Sequence, residues 1–253
     1  MASARGSDAL LIPDWPVPAR VRAVVTTRAL PGASRDAYAA FNLGARCGDE
    51  PVAVAANRHA LAETLGLPAA PRWLHQVHGD RSLRITEELL AGEPEADAAF
   101  TTRRNTVLAI LTADCLPILV SNRDGDEVAA IHAGWRGLSQ NVIEHCLRRL
   151  RGPADNLLVW LGPAIGAASY EVGAEVRDAF VAHAAEAGVA FTPTRPGHWR
   201  CDLYTLARQR FAALGVTRVY GGDFDTFRDQ RFYSYRRDGA RSGRFASLIW
   251  IAA

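Results

Sequence analysis

The sequence predicts one α/β domain with mixed β-sheets at its centre and α-helices outside. Strand and helix patterns alternate along the chain, which is typical of layered α/β folds. Several neighbouring strands are joined by short turns, which only antiparallel pairs allow, so we expect mixed sheets. The 253 residues, 49% of them hydrophobic, contain no internal repeat, low-complexity segment or linker, and a single core is therefore expected.

The first predicted elements follow in chain order. Residues 1–20 are expected to form an N-terminal tail, and residues 21–253 the domain. The first helix begins after Asp49, with Pro51 in its first turn, and ends at Gly66, because proline suits a helix start and glycine a helix end. Short apolar runs predict strands over residues 21–27, 82–86, 97–101, 106–112, 117–121, 127–132, 156–162, 216–222, 231–235 and 245–251.

Three more helices are predicted in the second half of the chain. They cover residues 138–151, 171–187 and 202–214. Asp202 suits the N-cap of the last helix, and Gly215 suits its C-terminal end. All three are expected to lie outside the sheets.

Composition excludes several classes of protein. A net charge of +2, from 29 basic and 27 acidic residues, gives no electrostatic footprint for nucleic acid or a membrane surface. Every basic residue is arginine, and the absence of lysine removes Schiff-base chemistry and the lysine of a phosphate-binding P-loop. Any bound anion must therefore be held by arginine side chains or by backbone N–H groups.

The cysteines and the apolar runs predict a cytoplasmic protein. Cys47, Cys115, Cys146 and Cys201 lie far apart without a CxxC pair, and the apolar stretch before Pro13 is too short to be expected to act as a secretory leader. This pattern favours reduced thiols over a disulfide framework. No apolar run approaches the roughly 18 residues of a membrane span. Without a coiled-coil heptad or an apolar arm, the chain is expected to be a monomer.

A predicted hairpin brings a thiol and an imidazole together. In TADCLPILVSNRDGDEVAAIHAGWRG, residues 112–137, a strand is expected to begin at or near Pro117, because proline cannot donate to a sheet. The Asp-Gly pair at 124–125 is a strong hairpin-turn signal. Pairing about that turn places Cys115 within a residue or two of the position that faces His132.

A third candidate ligand lies upstream in WLHQVHGD, residues 73–80. His78 is at the end of an element, where it can approach another segment. One cysteine and two histidines form the ligand set of some catalytic zinc sites, which keep a fourth position open. The residue pattern alone leaves two interpretations open: a metal site of His78, Cys115 and His132, or a buried structural cysteine and histidine.

Several motifs in one order resemble a known family. They are, along the chain, FNLGARCGDEP, QVHG, TADCLPIL, AAIHAGWRG, GPAIGAASYEVG, FYSYRRDG and GRFASLIWI. The match extends over residues 20–251, and the chain resembles the laccase-domain family, also called the peptidoglycan editing factor or purine nucleoside phosphorylase family. The resemblance implies a four-layer α/β/β/α sandwich, similar to the catalytic domain of cytotoxic necrotising factor toxins.

The resemblance also implies the site. It implies a zinc ion bound by His78, Cys115 and His132. Two positions depart from the family pattern. Arg46 stands where the family often has histidine, and Asp225 stands where a Cys-Thr pair commonly begins. Neither position is among the three implied ligands, so we expect these departures to alter substrate contacts and to leave the metal site intact.

The reactions implied by the resemblance act on purine nucleosides. They are phosphorolysis of adenosine, inosine, guanosine and methylthioadenosine, and hydrolytic deamination of adenosine. Zinc can serve both, by activating water or by polarising a substrate oxygen. Copper can occupy the same ligands. Seven histidines without an HxH pair cannot populate a multicopper array, so true laccase activity is not expected.

Candidate residues for these reactions lie in the motif segments. The predicted catalytic residues are Cys115, His132 and Asp114. Phosphate needs cationic or polar donors, and the predicted substrate-binding residues are Arg28, Asn42, Arg46, Arg136 and Arg244. The alternative is a surface salt bridge for each arginine, a turn cap for Asn42 and a structural turn for Asp114.

Three other functions remain open at this point. The editing-factor name implies hydrolysis of an amide in a wrongly built, nucleotide-linked peptidoglycan precursor. A metal-free cysteine hydrolase would use Cys115 as nucleophile and His132 as base, and would leave His78 without a role. The third is a non-catalytic binding or regulatory protein, which the gathering of polar residues at strand ends disfavours.

Overall fold

The computed structural model describes residues 8–86 and 92–253. Its strands are β1 (Leu10–Leu11), β2 (Val21–Thr26), β3 (Ser82–Arg84), β4 (Ala98–Thr101), β5 (Leu108–Thr112), β6 (Leu116–Asn122), β7 (Val128–Ala133), β8 (Leu157–Leu161), β9 (Glu171–Gly173), β10 (Phe191–Arg195), β11 (His198–Cys201), β12 (Val219–Gly221) and β13 (Phe245–Ile251). Its α-helices are α1 (Pro51–Leu65), α2 (Trp135–Ser139), α3 (Val142–Leu147), α4 (Ala174–Val181), α5 (Leu203–Ala213) and α6 (Tyr235–Asp238).

The described strands form three sheets. The largest has the order β12-β8-β6-β7-β4-β3, in which the two outer pairs are parallel and the inner pairs antiparallel. The second has the order β1-β2-β13-β5 and is antiparallel throughout. A small antiparallel sheet, β10-β11-β9, lies apart from both. The prediction of mixed sheets is confirmed.

Alternating side chains stack the two larger sheets into layers. On β2, Val25 faces a core shared by both sheets, while its neighbour Val24 packs with Leu61 of α1. On β6, Leu119 faces the shared core, and Ile118 packs under α2 to α5. Because successive side chains of a strand point to opposite faces of its sheet, each of the two larger sheets buries side chains on both of its faces. The order is helix, sheet, sheet, helices, and the four-layer α/β/β/α prediction is confirmed.

Two predicted helices are shorter than their patterns suggested. The helix predicted over residues 138–151 is divided into α2 and α3, because Asn141 adopts a left-handed conformation with φ 67°. The segment predicted as a helix over 171–187 begins as strand β9, which pairs with β11. Its helical part, α4, ends at Val181. Helices α1 and α5 confirm their predictions; the Asp202 carboxylate caps α5 by accepting the Thr205 N–H at 3.0 Å.

The strand predicted over residues 231–235 is wrong. Phe232 and Tyr233 are fully buried, so their hydrophobicity reflects core packing and not a sheet. Ser234 then caps α6 through its hydroxyl, which accepts the N–H of Arg237 at 3.2 Å. Strands β10 and β11 were not predicted, because β10 is mostly exposed and lacks the alternation that marks a half-buried strand.

The described part of residues 1–20, predicted as a tail, packs on the domain. Strand β1 pairs with β2, with Leu10 opposite Thr26. Trp15 is buried in the core between the two larger sheets. In the described residues, the helices are all too short or too polar to cross a lipid bilayer.

Candidate active site

The β6–β7 hairpin sets the position of two candidate ligands. Pro117 faces His132 across the pair, and Leu116 faces Ala133. The turn is closed at Gly125, whose φ of 67° suits glycine. Cys115 directly precedes β6 at the open end of the hairpin, so its thiol lies beside the imidazole of His132. The prediction from strand pairing is confirmed.

Three side chains from separate elements converge at this end of the hairpin. The ligand atoms of His78, Cys115 and His132 all lie within 4.8 Å of one another. The two imidazole rings meet edge to face, with an interplanar angle of 78°. His132 is buried, Cys115 is half-buried and His78 is exposed, so the group is open on one side. Within residues 8–86 and 92–253, it is the one group of three such side chains able to hold a metal ion.

A buried carboxylate that the sequence did not reveal orients two of these ligands. Asp97 has no exposed surface, and its Oδ1 lies 2.7 Å from Nδ1 of His132. The same carboxylate accepts the backbone N–H groups of Val77 at 3.2 Å, His78 at 3.0 Å and Gly79 at 2.8 Å. With Nδ1 of His132 bound to Asp97, Nε2 is the ring nitrogen left for a metal, as is usual for ligating histidines.

The electrostatics favour a thiolate beside an imidazolium when no metal is bound. Burial alone would raise the pKa of the Cys115 thiol, but the His132 and His78 rings outweigh it and lower this pKa to about 6. Burial would likewise lower the pKa of His132, but Cys115 and Asp97 raise it to about 9. Because metals bind the deprotonated thiolate, a lowered thiol pKa suits a metal ligand.

Gly134 leaves room for the converging ligands. A Cβ at this position would lie 2.9 Å from Sγ of Cys115 and 3.2 Å from Cδ2 of His78. The backbone of Gly134 is extended, with φ −71° and ψ 167°, a conformation open to any residue. Glycine is therefore required here for close approach and not for its conformational freedom.

The three side chains line a cavity of about 550 Å³. This volume lies within the usual range of small-molecule sites. Apolar and aromatic walls come from Leu74, Leu111, Trp135, Ile165, Tyr170 and Tyr235. The cationic residues of the lining are Arg46, Arg58, Arg136, Arg236 and Arg244. A cavity with both kinds of wall can hold a planar apolar ring next to an anion.

The arginines of the lining are held in different ways. Arg46 and Arg58 both bind the carboxylate of Glu93, the latter at 2.6 Å. Burial alone would raise the pKa of Glu93, but the two guanidinium groups hold it below its ordinary value. Arg244 donates to the carbonyl of Ser242 at 2.6 Å. Arg58, Arg236 and Glu93 were missed by sequence reasoning, because chain position alone does not indicate which arginines face a cavity.

Two predicted substrate-binding residues are placed elsewhere. Neither Arg28 nor Asn42 is among the described residues that line the cavity. Arg28 donates through Nε to the carbonyl of Ala39 at 3.0 Å. Asn42 has no exposed surface, and its carboxamide binds the carboxylate of Asp49 at 2.9 Å and the N–H of Arg244 at 2.7 Å. For Asn42, these bonds support the turn-capping alternative.

Asp114 borders the cavity and joins three segments. Its Oδ1 accepts the hydroxyl of Thr226 at 2.7 Å, and its Oδ2 accepts the N–H of Arg236 at 2.7 Å. The position that departs from the family pattern, Asp225, accepts the hydroxyl of Ser169 at 2.5 Å. Both carboxylates therefore fix the loops that surround Cys115.

The fold and the site define a mixed α/β protein with a cysteine and histidine group in an arginine-lined cavity. The chain belongs to the family described as multi-copper polyphenol oxidoreductase laccase, whose model matches residues 22–252. It is 52% identical to a purine nucleoside phosphorylase of Pseudomonas aeruginosa, over 96% of this chain and 99% of that protein. It is 47% identical to the purine nucleoside phosphorylase YfiH of Escherichia coli, over 96% and 98% of the two chains.

Solved structures have the same fold. A DUF152 protein of Neisseria meningitidis superposes with a TM-score of 0.92 and 43% identity, over 97% of this chain and all of the other. YlmD of Geobacillus stearothermophilus superposes with a TM-score of 0.89 and 28% identity, over all of this chain and 98% of the other. The family resemblance read from the motifs is confirmed.

Proposed function

We propose that this protein is a zinc-dependent purine nucleoside phosphorylase that also deaminates adenosine. Its substrates are adenosine, inosine, guanosine and methylthioadenosine, together with inorganic phosphate. The observation that carries the proposal is the convergence of His78, Cys115 and His132 on an arginine-lined cavity of nucleoside size. The names of the relatives from Pseudomonas aeruginosa and Escherichia coli support the reaction class.

The donor set fits zinc. One thiolate and two imidazoles form a catalytic type of zinc site, in which three protein ligands leave a fourth position open. The Asp97 carboxylate behind His132 fixes the ring so that Nε2 is the free nitrogen. A bound zinc ion supplies a Lewis acid that activates water or polarises a substrate oxygen. Copper accepts the same ligands, but the one group of three found within residues 8–86 and 92–253 does not provide the several centres of a multicopper oxidase.

In the proposed phosphorolysis, the protein holds phosphate against the sugar. The bond between C1′ and the purine nitrogen breaks, and its electron pair stays on the purine. A phosphate oxygen forms the new bond to C1′, and the proton of monohydrogen phosphate ends on the departing purine. The cavity arginines bind the anion and offset the charge that moves during the reaction. Trp135 and Tyr170 supply apolar surface for the purine.

In the proposed deamination, water adds to C6 of adenosine and ammonia leaves. Asp114 stays the proposed proton carrier, because it is a carboxylate at the cavity wall next to Cys115. Its two oxygens already accept bonds from Thr226 and Arg236, so its position is fixed before substrate arrives. No phosphate is needed for this second reaction.

A second candidate is a metal-free cysteine hydrolase, including an amidase that edits a nucleotide-linked peptidoglycan precursor. The observation that favours it is the order Cys115, His132 and Asp97, which matches nucleophile, base and orienting carboxylate. This reading gives no task to His78, whose ring meets that of His132.

Metal content and nucleoside turnover test the proposal together. Untagged wild-type protein is expected to carry about one zinc per chain by mass spectrometry, and the variants His78→Ala, Cys115→Ala and His132→Ala are expected to lose it. The controls His145→Ala and Cys47→Ala lie outside the ligand group and should retain zinc. If metal-free wild-type protein cleaves substrate and loses this activity when Cys115 is alkylated, the zinc mechanism is wrong and the cysteine hydrolase takes its place.

Turnover separates the proposed reactions. With inosine, we expect hypoxanthine to form when phosphate is present and not in its absence. With adenosine, inosine is expected to form in both conditions. We also propose that the protein is cytoplasmic, which its four free cysteines support. We propose that it is a monomer, which size-exclusion chromatography with light scattering tests.

A further inference from the structure

A second cavity adjoins the one that holds the candidate ligands. Its volume is about 430 Å³, and its lining includes Glu171, Glu175, Arg195 and His198. Four residues line both cavities: Trp135, Arg136, Tyr170 and Arg236. The two cavities therefore meet at a boundary built from two aromatic side chains and two arginines.

Each boundary arginine is supported by an aromatic ring. The guanidinium of Arg136 lies over the ring of Trp135, 4.6 Å from its centroid. That of Arg236 lies over the ring of Tyr170 at 5.1 Å, and its NH1 donates to the carbonyl of Glu171 at 2.7 Å. Stacking restrains a guanidinium and leaves its edge N–H groups free to donate.

Both boundary arginines lie close to the candidate ligands, one through its position in the chain and the other through a hydrogen bond. Arg136 is the second residue of α2 and lies four residues after His132 in the chain. The backbone N–H of Arg236 is bound at 2.7 Å to the carboxylate of Asp114, which precedes Cys115. An anion between the two guanidinium groups would thus lie at the edge of the reaction cavity.

The two boundary arginines form no ion pair in the described residues, although the carboxylates of Glu171 and Glu175 also line the second cavity. In contrast, Arg46 and Arg58 share Glu93, and Arg195 pairs with Glu171 at 3.0 Å. Both boundary guanidinium groups are also exposed, so solvent ions reach them. Two exposed arginines without an ion pair, both at one boundary, suit a doubly charged oxyanion.

We infer that Arg136 and Arg236 form the inorganic phosphate site of the proposed phosphorolysis, with the nucleoside in the 550 Å³ cavity on the ligand side. This inference rests on the proposed function and assigns phosphate to the boundary pair instead of to Arg46 and Arg58. Two arginine forks on one phosphate match its tetrahedral oxygens and its charge. The phosphate group of a nucleotide shares this chemistry, so the test includes both ligands.

The test compares Arg136→Gln and Arg236→Gln with the control Arg195→Gln. Glutamine keeps a polar side chain but is shorter than arginine and carries no charge, and the control Arg195 lines only the second cavity. For zinc-loaded protein and inosine, we expect each boundary variant to raise the KM for phosphate about tenfold or more, with the KM for inosine changed far less. The control should match wild type. An unchanged phosphate KM in both boundary variants would overturn the inference.

Equilibrium binding separates this inference from the proposed function. Calorimetric titration with inorganic phosphate is expected to show binding to wild type and to Arg195→Gln, and about tenfold or more weaker binding to the boundary variants. If the wild-type protein binds phosphate but cleaves no nucleoside, the proposed phosphorylase activity is wrong, and the assignment of Arg136 and Arg236 to an anion site is retained. Titration with adenosine 5′-monophosphate distinguishes the ligands: loss of nucleotide binding alone, with phosphate binding intact, would overturn the assignment of inorganic phosphate.

Discussion

The carboxylate of Asp97 accepts Nδ1–H of His132 at 2.7 Å and the backbone N–H of His78 at 3.0 Å. One buried group thus orients two of the three candidate ligands. The contact follows from the sheet, because Ala98 at the start of β4 pairs with Ile131 of β7, which places Asp97 beside His132. Since carboxylates behind ligating histidines fix the ring and strengthen the ligand, Asp97 is expected to govern metal affinity.

Replacing Asp97 with asparagine tests this relationship. In Asp97→Asn, an amide NH₂ group replaces one acceptor oxygen and faces N–H donors, so His132 loses its orientation. We expect zinc affinity to fall about 10- to 100-fold, measured by competition with a chelator. Asp80→Asn is the matched control, since Asp80 pairs with the half-buried His145 at 2.8 Å, outside the ligand group. Equal zinc affinity in a folded Asp97→Asn protein would contradict the assignment.

A single methyl group at Gly134 is expected to disturb the ligand group. In Gly134→Ala, the new Cβ would lie 2.9 Å from Sγ of Cys115, closer than real Cβ contacts allow. The thiol or the backbone must move, so we expect weaker zinc binding and lower nucleoside turnover. Gly188→Ala is the control, because a Cβ there meets nothing within 4 Å. Wild-type zinc affinity in Gly134→Ala would show that the three ligands do not act together.

Residue patterns predicted the hairpin, and the family resemblance implied the four layers and the three candidate ligands, but neither indicated Asp97. The hairpin could be predicted because its turn signal and its strand alternation are local features of the sequence, and together they place Cys115 near His132. Asp97 stands before an apolar strand, as a turn residue often does, and only the pairing of β4 with β7 shows what it contacts. Its local signal was an acidic residue leading into AAFT, which is too common to single out a position.

Errors in the predicted elements have the same origin. RFYSY has the composition of a strand, yet Phe232 and Tyr233 serve as core residues between loops. Arg28 was predicted to bind substrate, but it donates to the carbonyl of Ala39 and is not among the described residues that line the cavity, whereas Arg58 of helix α1 lines it. The packing of helix and loop against the sheets decides these orientations. Local residue patterns do not contain that information.

Cys115 is expected to react as a thiolate at mildly acidic pH once metal is removed. Its pKa is lowered to about 6, so the thiolate dominates above that pH, whereas an ordinary cysteine needs about pH 8.5. The rate of alkylation by iodoacetamide, followed by mass spectrometry in a Cys47→Ser background, should rise through a midpoint near pH 6. Burial raises the pKa of Cys146 to about 12, and this thiol should stay unmodified. A midpoint at pH 8 or above for Cys115 would contradict the thiolate–imidazolium pair.

The bond between Thr226 and Asp114 is expected to contribute to stability. Thr226 is fully buried, and its hydroxyl donates to Oδ1 of Asp114 at 2.7 Å. Thr226→Val keeps the shape but removes the donor, which leaves a poorly solvated carboxylate oxygen unpaired. We expect the free energy of unfolding, from urea denaturation, to fall by about 1–3 kcal/mol. Thr226→Ser keeps the donor and loses one methyl group, worth about 0.8 kcal/mol. If the valine variant unfolds at the same urea concentration as wild type, the hydroxyl does not hold Asp114 in place.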